Sequence, residues 1–238
     1  EQARHDAATG LDTAGYVTGY RGSPLGGLDK EFTTARNLLS AHGVKFHPAV
    51  NEDLGATALW GTQQVNLHPG AKHDGVFGMW YGKGPGIDRS GDVLRHANLA
   101  GTSANGGVLA LFGDDPACKS STVASQSEYA IIDAQIPLLN PADVREMVKF
   151  GLFGYAMSRY SGCWAGLKCI TDNMDSSASF CLDSSLPQII QPTDFEMPSD
   201  GLHIRWPDPF LEQEYRLHKY KVYAAIAFAR ANNINRVT

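Results

Sequence analysis

Short apolar runs alternate with helical patterns along most of this 238-residue sequence. Most of these runs are followed by a polar or glycine-rich stretch. Strands that alternate with helices usually form a parallel sheet, because the chain must cross over the sheet before each new parallel strand. The sequence therefore predicts an α/β fold, with an open, mostly parallel twisted sheet and helices on both faces. The predicted strands are "AGYVTGY", "VKFHPAV", "GVFGMWY", "GGVLALFGDDP", "IPLLN" and "GCWAGLKCIT".

The predicted helices have recognisable ends. Asn51 precedes "EDLGATALWGTQQV" where an N-cap belongs, and Gly43 ends "LDKEFTTARNLLSAHG". Pro141 lies near the first turn of "PADVREMVKFGLFGYAMSRY", where proline is tolerated. "DVLRHANLAG" and "STVASQSEYAIIDAQ" are also predicted to be helical.

Residues 181–238 are predicted to form a loop-rich extension that ends in a helix. The region from Leu182 to Pro209 is rich in Pro, Asp and Ser, with a short strand predicted at "LHIRW". In the final helix Glu212 can pair with Arg216 across one turn. An amphipathic helix turns its apolar face towards the core. This face consists of Leu211, Tyr215, His218, Val222, Ile226 and Ala229.

Composition and charge are those of an ordinary globular protein. The formal net charge is −5 and the basic residues are scattered, so no patch indicates nucleic acid or a membrane surface as a partner. No apolar stretch approaches the roughly 18 residues of a membrane span. The 4 cysteines are too sparse for a disulfide scaffold and lack the paired spacing of zinc or iron–sulfur sites. We expect free thiols and a cytoplasmic location.

The sequence begins at Glu1 without a methionine or a signal-peptide pattern. We interpret it as a piece of a longer polypeptide.

Four loops of functional composition are expected at one edge of the sheet. They are "GYRGSPLGG", "NED", "GKGPGIDRSGD" and "GDDPACKSST", and each follows a predicted strand. In open α/β sheets, ligands bind outside the carboxyl ends of the strands. The sequence therefore predicts a binding site where these loops meet.

Simple motifs do not identify the ligand. Neither glycine-rich loop matches the phosphate-binding or dinucleotide-binding pattern, since Lys83 is followed by Gly84. Ser23 does not lie in the G-x-S-x-G pattern of hydrolases. Asp114 and Asp115 could bind Mg²⁺, or one could cap the next helix while the other is solvated. By pattern alone, Glu52 at the start of a helix is a residue that stabilises the first turn.

The loops together resemble a known family. "TGYRGSPLGGLD", "NEDLGATALWGTQQ", "GKGPGIDRSGDVLRHANLAGTS", "GGVLALFGDDPACKSST" and "ASQSEYA" look like the amino-terminal part of the thiamine-diphosphate-dependent 2-oxoacid:ferredoxin oxidoreductases. The large single-chain indolepyruvate ferredoxin oxidoreductases of bacteria are the most similar members. The resemblance covers nearly the whole chain and is densest from Tyr16 to Tyr129. It implies that residues 1–238 are one pyrimidine-binding domain, with its core in residues 1–180.

The resemblance gives Glu52 a catalytic role. In thiamine enzymes a glutamate of this domain contacts N1′ of the aminopyrimidine ring and promotes loss of the proton from the thiazolium carbon. Further cofactor contacts are implied for Gly22, Ser23, Pro24 and Tyr81.

Substrate contacts are implied around the same loops. Arg21 could bind a carboxylate through two hydrogen bonds or tie down its own loop. Lys83 or Arg89 could attract the 2-oxoacid carboxylate, or Arg89 could pair with Asp88 on the surface. The full set of substrate contacts is Arg21, Ser23, Lys83, Arg89, Asp115, Ser120 and Ser121, of which the last two could instead cap the next helix.

The implied activity is oxidative decarboxylation of an aryl 2-oxoacid, such as indolepyruvate or phenylpyruvate, to the acyl-CoA. Thiamine diphosphate with Mg²⁺, an iron–sulfur cluster and coenzyme A are the implied cofactors, with ferredoxin as electron acceptor. No GDG motif followed by Asn is present, so the diphosphate and Mg²⁺ are expected on a partner domain, and the enzyme is expected to be a homo-oligomer. The aromatic residues Trp60, Trp80, Tyr81 and Phe112 could form the substrate pocket or the core.

Two alternatives remain open. The chain could belong to another thiamine enzyme, such as a 2-oxoacid dehydrogenase or a transketolase-like protein. It could also be a non-catalytic domain retained for subunit assembly, although such a domain would not need an acid at Glu52.

Overall fold

The computed structural model describes residues 1–118, 124–181 and 186–236. Its strands are β1 (Thr13–Gly19), β2 (Val44–Phe46), β3 (Gly75–Lys83), β4 (Val108–Asp114), β5 (Leu138–Leu139) and β6 (Ala165–Ile170). They form a sheet in the order β2-β1-β3-β4-β6-β5, and every strand pair in these residues is parallel. The predicted open parallel sheet is confirmed.

Helices cover both faces of this sheet, as predicted. Alternate residues of β4 point to opposite faces, so that Leu111 belongs to one apolar cluster and Phe112 to the other. The helices before the C-terminal segment are α1 (Gln2–Ala8), α2 (Leu28–Thr34), α3 (Arg36–Ala41), α4 (Glu52–Thr62), α5 (Gly84–Arg89), α6 (Gly91–Ala100), α7 (Ser127–Asp133), α8 (Val144–Ser161) and α9 (Thr171–Met174). The first cluster includes residues of α2 and α8, and the second includes residues of α4, α6 and α7.

Two helix starts differ in how well the sequence predicted them. The Asn51 side chain caps α4 and accepts a hydrogen bond of 2.8 Å from the Leu54 backbone N–H, as expected. Pro141 lies before α8 rather than in its first turn. The reason is Asp143, whose carboxylate accepts a 2.7 Å hydrogen bond from the Glu146 backbone N–H and so fixes the helix start.

Three other predictions about local structure were wrong. The helix predicted before Gly43 is interrupted at Ala35, between α2 and α3. The segment "LHIRW" forms no strand. The loop predicted after β3 is the short helix α5, with Pro85 in its first turn, a position at which proline costs no hydrogen bond.

The C-terminal helical segment buries a different face from the predicted one. It consists of α10 (Phe210–Arg216), a π-helical turn at Leu217–Lys221 and α11 (Val222–Ala231). Leu211, Tyr215 and Ile226 are all more than half exposed. The buried face is partly polar, because its charged residues find partners.

Arg216 illustrates how a charged residue is accommodated on the buried face. Its guanidinium donates hydrogen bonds of 2.8 and 3.0 Å to the two carboxylate oxygens of Asp208. The predicted partner was Glu212, which the sequence places one turn away. The two-pronged pair with Asp208 matches the planar geometry of the guanidinium group.

Lys221 is fully buried in the π-helical turn. Its ammonium group donates hydrogen bonds to the backbone carbonyls of Leu99, at 3.0 Å, and Asn98, at 3.5 Å. These carbonyls lie at the end of α6, where the helix leaves them without partners of its own. These hydrogen bonds therefore hold the C-terminal helical segment against α6. Among the helices of the described residues, none is both long and apolar enough to cross a membrane.

We expect Lys221 to make the free energy of unfolding depend on pH. Burial lowers the pKa of this lysine in the folded protein to about 8, against 10.5 for the ordinary side chain. Between these two values the unfolded state binds more protons, so this residue makes stability rise with pH across that window. Across this pH window the free energy of unfolding of the wild type should rise by at most about 3 kcal/mol relative to that of Lys221→Met.

Urea denaturation of both proteins at a series of alkaline pH values measures this difference. Tyrosine ionisation contributes to both proteins and cancels in the difference between the two curves, which therefore reports Lys221 together with Cys163, whose thiol interacts with the lysine charge. If the free energies of unfolding of the two proteins differ by the same amount at every pH from neutral upward, the prediction of a lowered pKa for Lys221 is wrong.

Candidate functional site

The carboxyl ends of three neighbouring strands define the candidate site. Tyr81 of β3 is in register with Gly19 of β1, and Lys83 of β3 with Gly113 of β4. The loops that leave these strands therefore start side by side. A small cavity of about 10 Å³ lies among them. It is lined by Ser23, Lys83, Gly84, Pro85, Gly113, Asp115 and Ser125.

The structure thus brings together Ser23, Lys83 and Asp115, three residues that were predicted to bind substrate. They come from three loops that are distant in sequence. Ser125, which lies at the same cavity, was missed as a site residue. Its segment "ASQSEYA" carries the family resemblance, and a serine just before a helix was the available signal.

Glu52 is the first residue of α4 and is only 8% exposed. Its backbone carbonyl accepts a 2.9 Å hydrogen bond from the indole N–H of Trp80. Within residues 1–118, 124–181 and 186–236, no group donates a hydrogen bond to its carboxylate. The Glu52 oxygens are absent from the fully buried polar atoms that lack a partner in the described residues, so the carboxylate reaches solvent at the edge of the sheet although most of the residue is covered. The carboxylate is suited to accept an N–H from a bound ligand.

Glycines of β3 and α5 form a frame around the Glu52 side chain. A Cβ atom on Gly82 would lie 3.3 Å from the Glu52 Cγ. A Cβ atom on Gly86 would overlap the Glu52 carboxyl group, and one on Gly84 would overlap the Ser125 hydroxyl. Helix α5 therefore fits between Glu52 and the cavity only because these positions carry no side chains.

The loop after β1 packs against β3 and β4. A Cβ atom on Gly22 would lie 2.9 Å from the Lys83 Cγ, so the lysine stem crosses the loop backbone closely. Leu25 is fully buried, and it and Pro24 pack against Gly113. This packing holds Ser23, which lies between Gly22 and Pro24 in the chain, at the cavity. Arg21 lies at the exposed start of the loop.

Tyr81 lies beneath this loop rather than beside the cavity. Its side chain is fully buried, and its hydroxyl donates a 2.5 Å hydrogen bond to the Asp29 carboxylate. Burial, together with this carboxylate, raises the pKa of the phenol far above its ordinary value. No atom of Tyr81 is exposed to contact a cofactor in this structure. Its ring supports the start of α2, where it lies 6.2 Å from the ring of Phe32.

The other predicted residues lie at the margin of the site or outside the description. Arg89 is exposed at the end of α5 and does not line the cavity. Trp80 and Phe112 are fully buried in the core, and Trp60 is partly buried against the ring of His96. Ser120 and Ser121 lie outside the described residues. In those residues, no group of three or more His, Cys, Asp and Glu side chains could hold a metal ion.

Comparison with solved structures identifies the fold. The structure is similar to a 2-oxoglutarate:ferredoxin oxidoreductase from Magnetococcus marinus, solved with 2-oxoglutarate, coenzyme A and succinyl-CoA bound. The TM-score is 0.59 at 14% sequence identity, and the match covers 95% of this chain and 44% of that chain. This chain therefore spans less than half the length of that oxidoreductase chain. No protein-family model and no curated protein match the sequence.

A likeness at this level of identity shows a shared fold. That fold agrees with the expectation from the sequence motifs, which resemble the ferredoxin-dependent 2-oxoacid oxidoreductases. The likeness does not identify the substrate, since the motifs resemble the indolepyruvate enzymes whereas the similar structure holds 2-oxoglutarate.

We expect Gly86→Ala to destabilise the protein by about 1–3 kcal/mol, because the new methyl group overlaps the Glu52 carboxyl group and must displace it or α5. Gly61→Ala, within α4 itself, is the matched control. Nothing lies within 4 Å of a Cβ atom at Gly61, so this change should stabilise the helix by roughly 0.5–1 kcal/mol. Chemical denaturation compares the two variants with the wild type. Equal stability of the two variants would show that Glu52 is not confined by α5.

Proposed function

We propose that this chain is the pyrimidine-binding domain of a thiamine-diphosphate-dependent 2-oxoacid:ferredoxin oxidoreductase. The observation that carries the proposal is the position of Glu52 at the carboxyl edge of the sheet, where the residue is largely covered and its carboxylate accepts no hydrogen bond from the described residues. The sequence motifs of this edge and the fold shared with a ferredoxin-dependent 2-oxoacid oxidoreductase support it.

Glu52 fits the aminopyrimidine ring of the cofactor. The N1′ atom of this ring can carry a proton, and a carboxylate with no other donor is an acceptor for it. Asn51 and Trp80 hold the glutamate backbone in place, and the glycines at positions 82 and 86 leave room for its side chain. When bound, thiamine diphosphate supplies the carbanion chemistry that decarboxylates a 2-oxoacid. The role of Glu52 is to hold a proton at N1′.

The side chains around the small cavity beside α5 are proposed to contact the substrate, which would lie against them and not inside the cavity, because about 10 Å³ has room for no more than a water molecule. Lys83 supplies a positive charge and Ser23 a hydroxyl donor, and a 2-oxoacid carboxylate accepts from both kinds of group. Asp115 has the same charge as that carboxylate, so we assign it to orienting a donor group at the cavity. Arg21 and Arg89 are exposed and would meet the substrate at the entrance. Gly22 and Pro24 position the Ser23 loop against β3 and β4.

The complete enzyme is proposed to act on an aryl 2-oxoacid of the indolepyruvate type and to form the acyl-CoA. Mg²⁺ and the cofactor diphosphate would be held by a diphosphate-binding domain, in the same protein or in a dimer mate. Electrons would pass through an iron–sulfur cluster to ferredoxin. The isolated chain should bind thiamine diphosphate weakly and catalyse no turnover, because it provides only one side of this site.

We expect Glu52→Gln in the full-length protein to reduce turnover by at least about 100-fold, because the amide cannot hold the proton that the carboxylate holds. The assay is thiamine-dependent reduction of a viologen dye by indolepyruvate and coenzyme A, with 2-oxoglutarate as the comparison substrate. Asp53→Asn, at the next position of the same helix, is the matched control and should keep near-wild-type activity. A folded Glu52→Gln variant that keeps most of its activity would overturn the proposal.

We expect Ser23→Ala to raise KM for the 2-oxoacid while sparing the affinity for thiamine diphosphate, because the cavity loses a hydroxyl donor and the Glu52 frame is unchanged. Ser23→Thr, which keeps the hydroxyl, should recover most of the lost substrate affinity. Steady-state kinetics and a cofactor titration separate these effects. An equal loss of substrate and cofactor affinity in Ser23→Ala would exclude a specific contact to the substrate.

A further inference from the structure

A partly buried ionic cluster lies next to the cavity, on the β4 and β6 side. Lys168 of β6 is 16% exposed at its side chain and forms an ion pair with Glu128 of α7. Its ammonium group also lies 3.6 Å from the carboxylate of Asp114, the last residue of β4. Two carboxylates from different elements therefore share one lysine.

Asp114 also caps the start of α7. Its carboxylate oxygens each lie 3.1 Å from the Ser127 backbone nitrogen, and one accepts a 2.9 Å hydrogen bond from the Ser127 hydroxyl. Ser127 is the first residue of α7. The end of β4 and the start of α7 are thus joined directly, although a long connection separates them in sequence.

The cluster borders the cavity at both ends of that connection. Asp115, which follows Asp114, and Ser125, two residues before Ser127, both line the cavity. Any shift of the α7 start away from β4 would move Ser125 relative to Asp115. Without Lys168 the carboxylates of Asp114 and Glu128 lose the cation that they share, and Glu128, the more exposed of the two, could move away from β4 together with the α7 start.

We propose that Lys168 is a positioning residue that holds the α7 start against β4 and thereby sets the distance between Asp115 and Ser125 at the cavity. The proposal rests on the function proposed for the side chains around this cavity, which would contact a 2-oxoacid carboxyl group. Lys168 does not line the cavity. It acts through Asp114 and Glu128.

The charge on Glu128 agrees with this arrangement. Burial raises the pKa of its carboxyl group, but the hydrogen bond and charge of Lys168, together with hydrogen bonds from the backbone and Asp114, outweigh burial and hold the pKa below its ordinary value. Glu128 is therefore ionised in the folded protein at neutral pH. Removing the lysine would leave Glu128 without its cation, while Asp114 keeps the hydrogen bonds from Ser127.

In the full-length protein we expect Lys168→Met to raise KM for the 2-oxoacid about tenfold while kcat changes by less than about threefold, since binding contacts are displaced and Glu52 is not. Lys168→Arg keeps the charge and should retain near-wild-type KM. The double variant Lys168→Met with Glu128→Gln should recover most of the loss, because the amide can donate to Asp114 and the repulsion is gone. Lys149→Met, on α8 at the opposite face of the sheet, is the matched control and should have no effect.

Amide hydrogen exchange of residues 124–133 tests the same proposal without any catalytic assay. Exchange at the α7 start should be faster in Lys168→Met and close to wild type in Lys168→Arg and in the double variant. A wild-type KM and wild-type exchange in Lys168→Met would overturn the proposal, as would a double variant as impaired as the single one. If the wild-type enzyme shows no thiamine-dependent turnover, the proposed function fails, and the exchange result still decides whether Lys168 positions α7.

Discussion

A parallel strand pair cannot be closed by a tight turn, so the chain must return over one face of the sheet before each new strand. The described part of this sheet is parallel throughout, and this constraint places the helices on both faces and all the strand ends of one polarity at one edge. Ser23, Glu52, Lys83 and Asp115 lie at that edge for this reason alone. The topology of the sheet brings together loops that are far apart in sequence, whichever side chains they carry.

Within that edge, the position of α5 depends on residues that have no side chains. Three glycines let this helix lie between the Glu52 carboxylate and Ser125, where any Cβ atom would meet one or the other. Glu52 is consequently buried while its carboxylate receives no donor from the described residues. The capped helix start, through Asn51 and Trp80, and the glycine frame together hold an acidic acceptor at a fixed place on the edge of the sheet.

The sequence predicted the parallel sheet and its strands well because they depend on local pattern. The predictions from sequence were wrong where contacts between residues remote in sequence determine the local structure. The glycines and Pro85 that suggested a loop instead form α5, since helix packing against Glu52 and Ser125 requires small residues. The apolar face of the last helix is exposed because the opposite face is buried instead. On that face Arg216 pairs with Asp208, and Lys221 donates hydrogen bonds to backbone carbonyls of α6. The ion pairs of Lys168 and the buried hydrogen bond of Tyr81 could not be predicted for the same reason, because their partners are remote in sequence.

The glycine frame also limits how this site can change during evolution or engineering. Positions 82, 84 and 86 each meet a side chain of the site, so a larger residue there would have to be matched by a change in Glu52, Ser125 or Trp80. We therefore expect substitutions to be tolerated more easily at exposed positions, such as Arg21, Pro85 and Arg89. We therefore expect the acid at position 52 and its glycine neighbours to change only together, whereas the exposed residues around them can change one at a time.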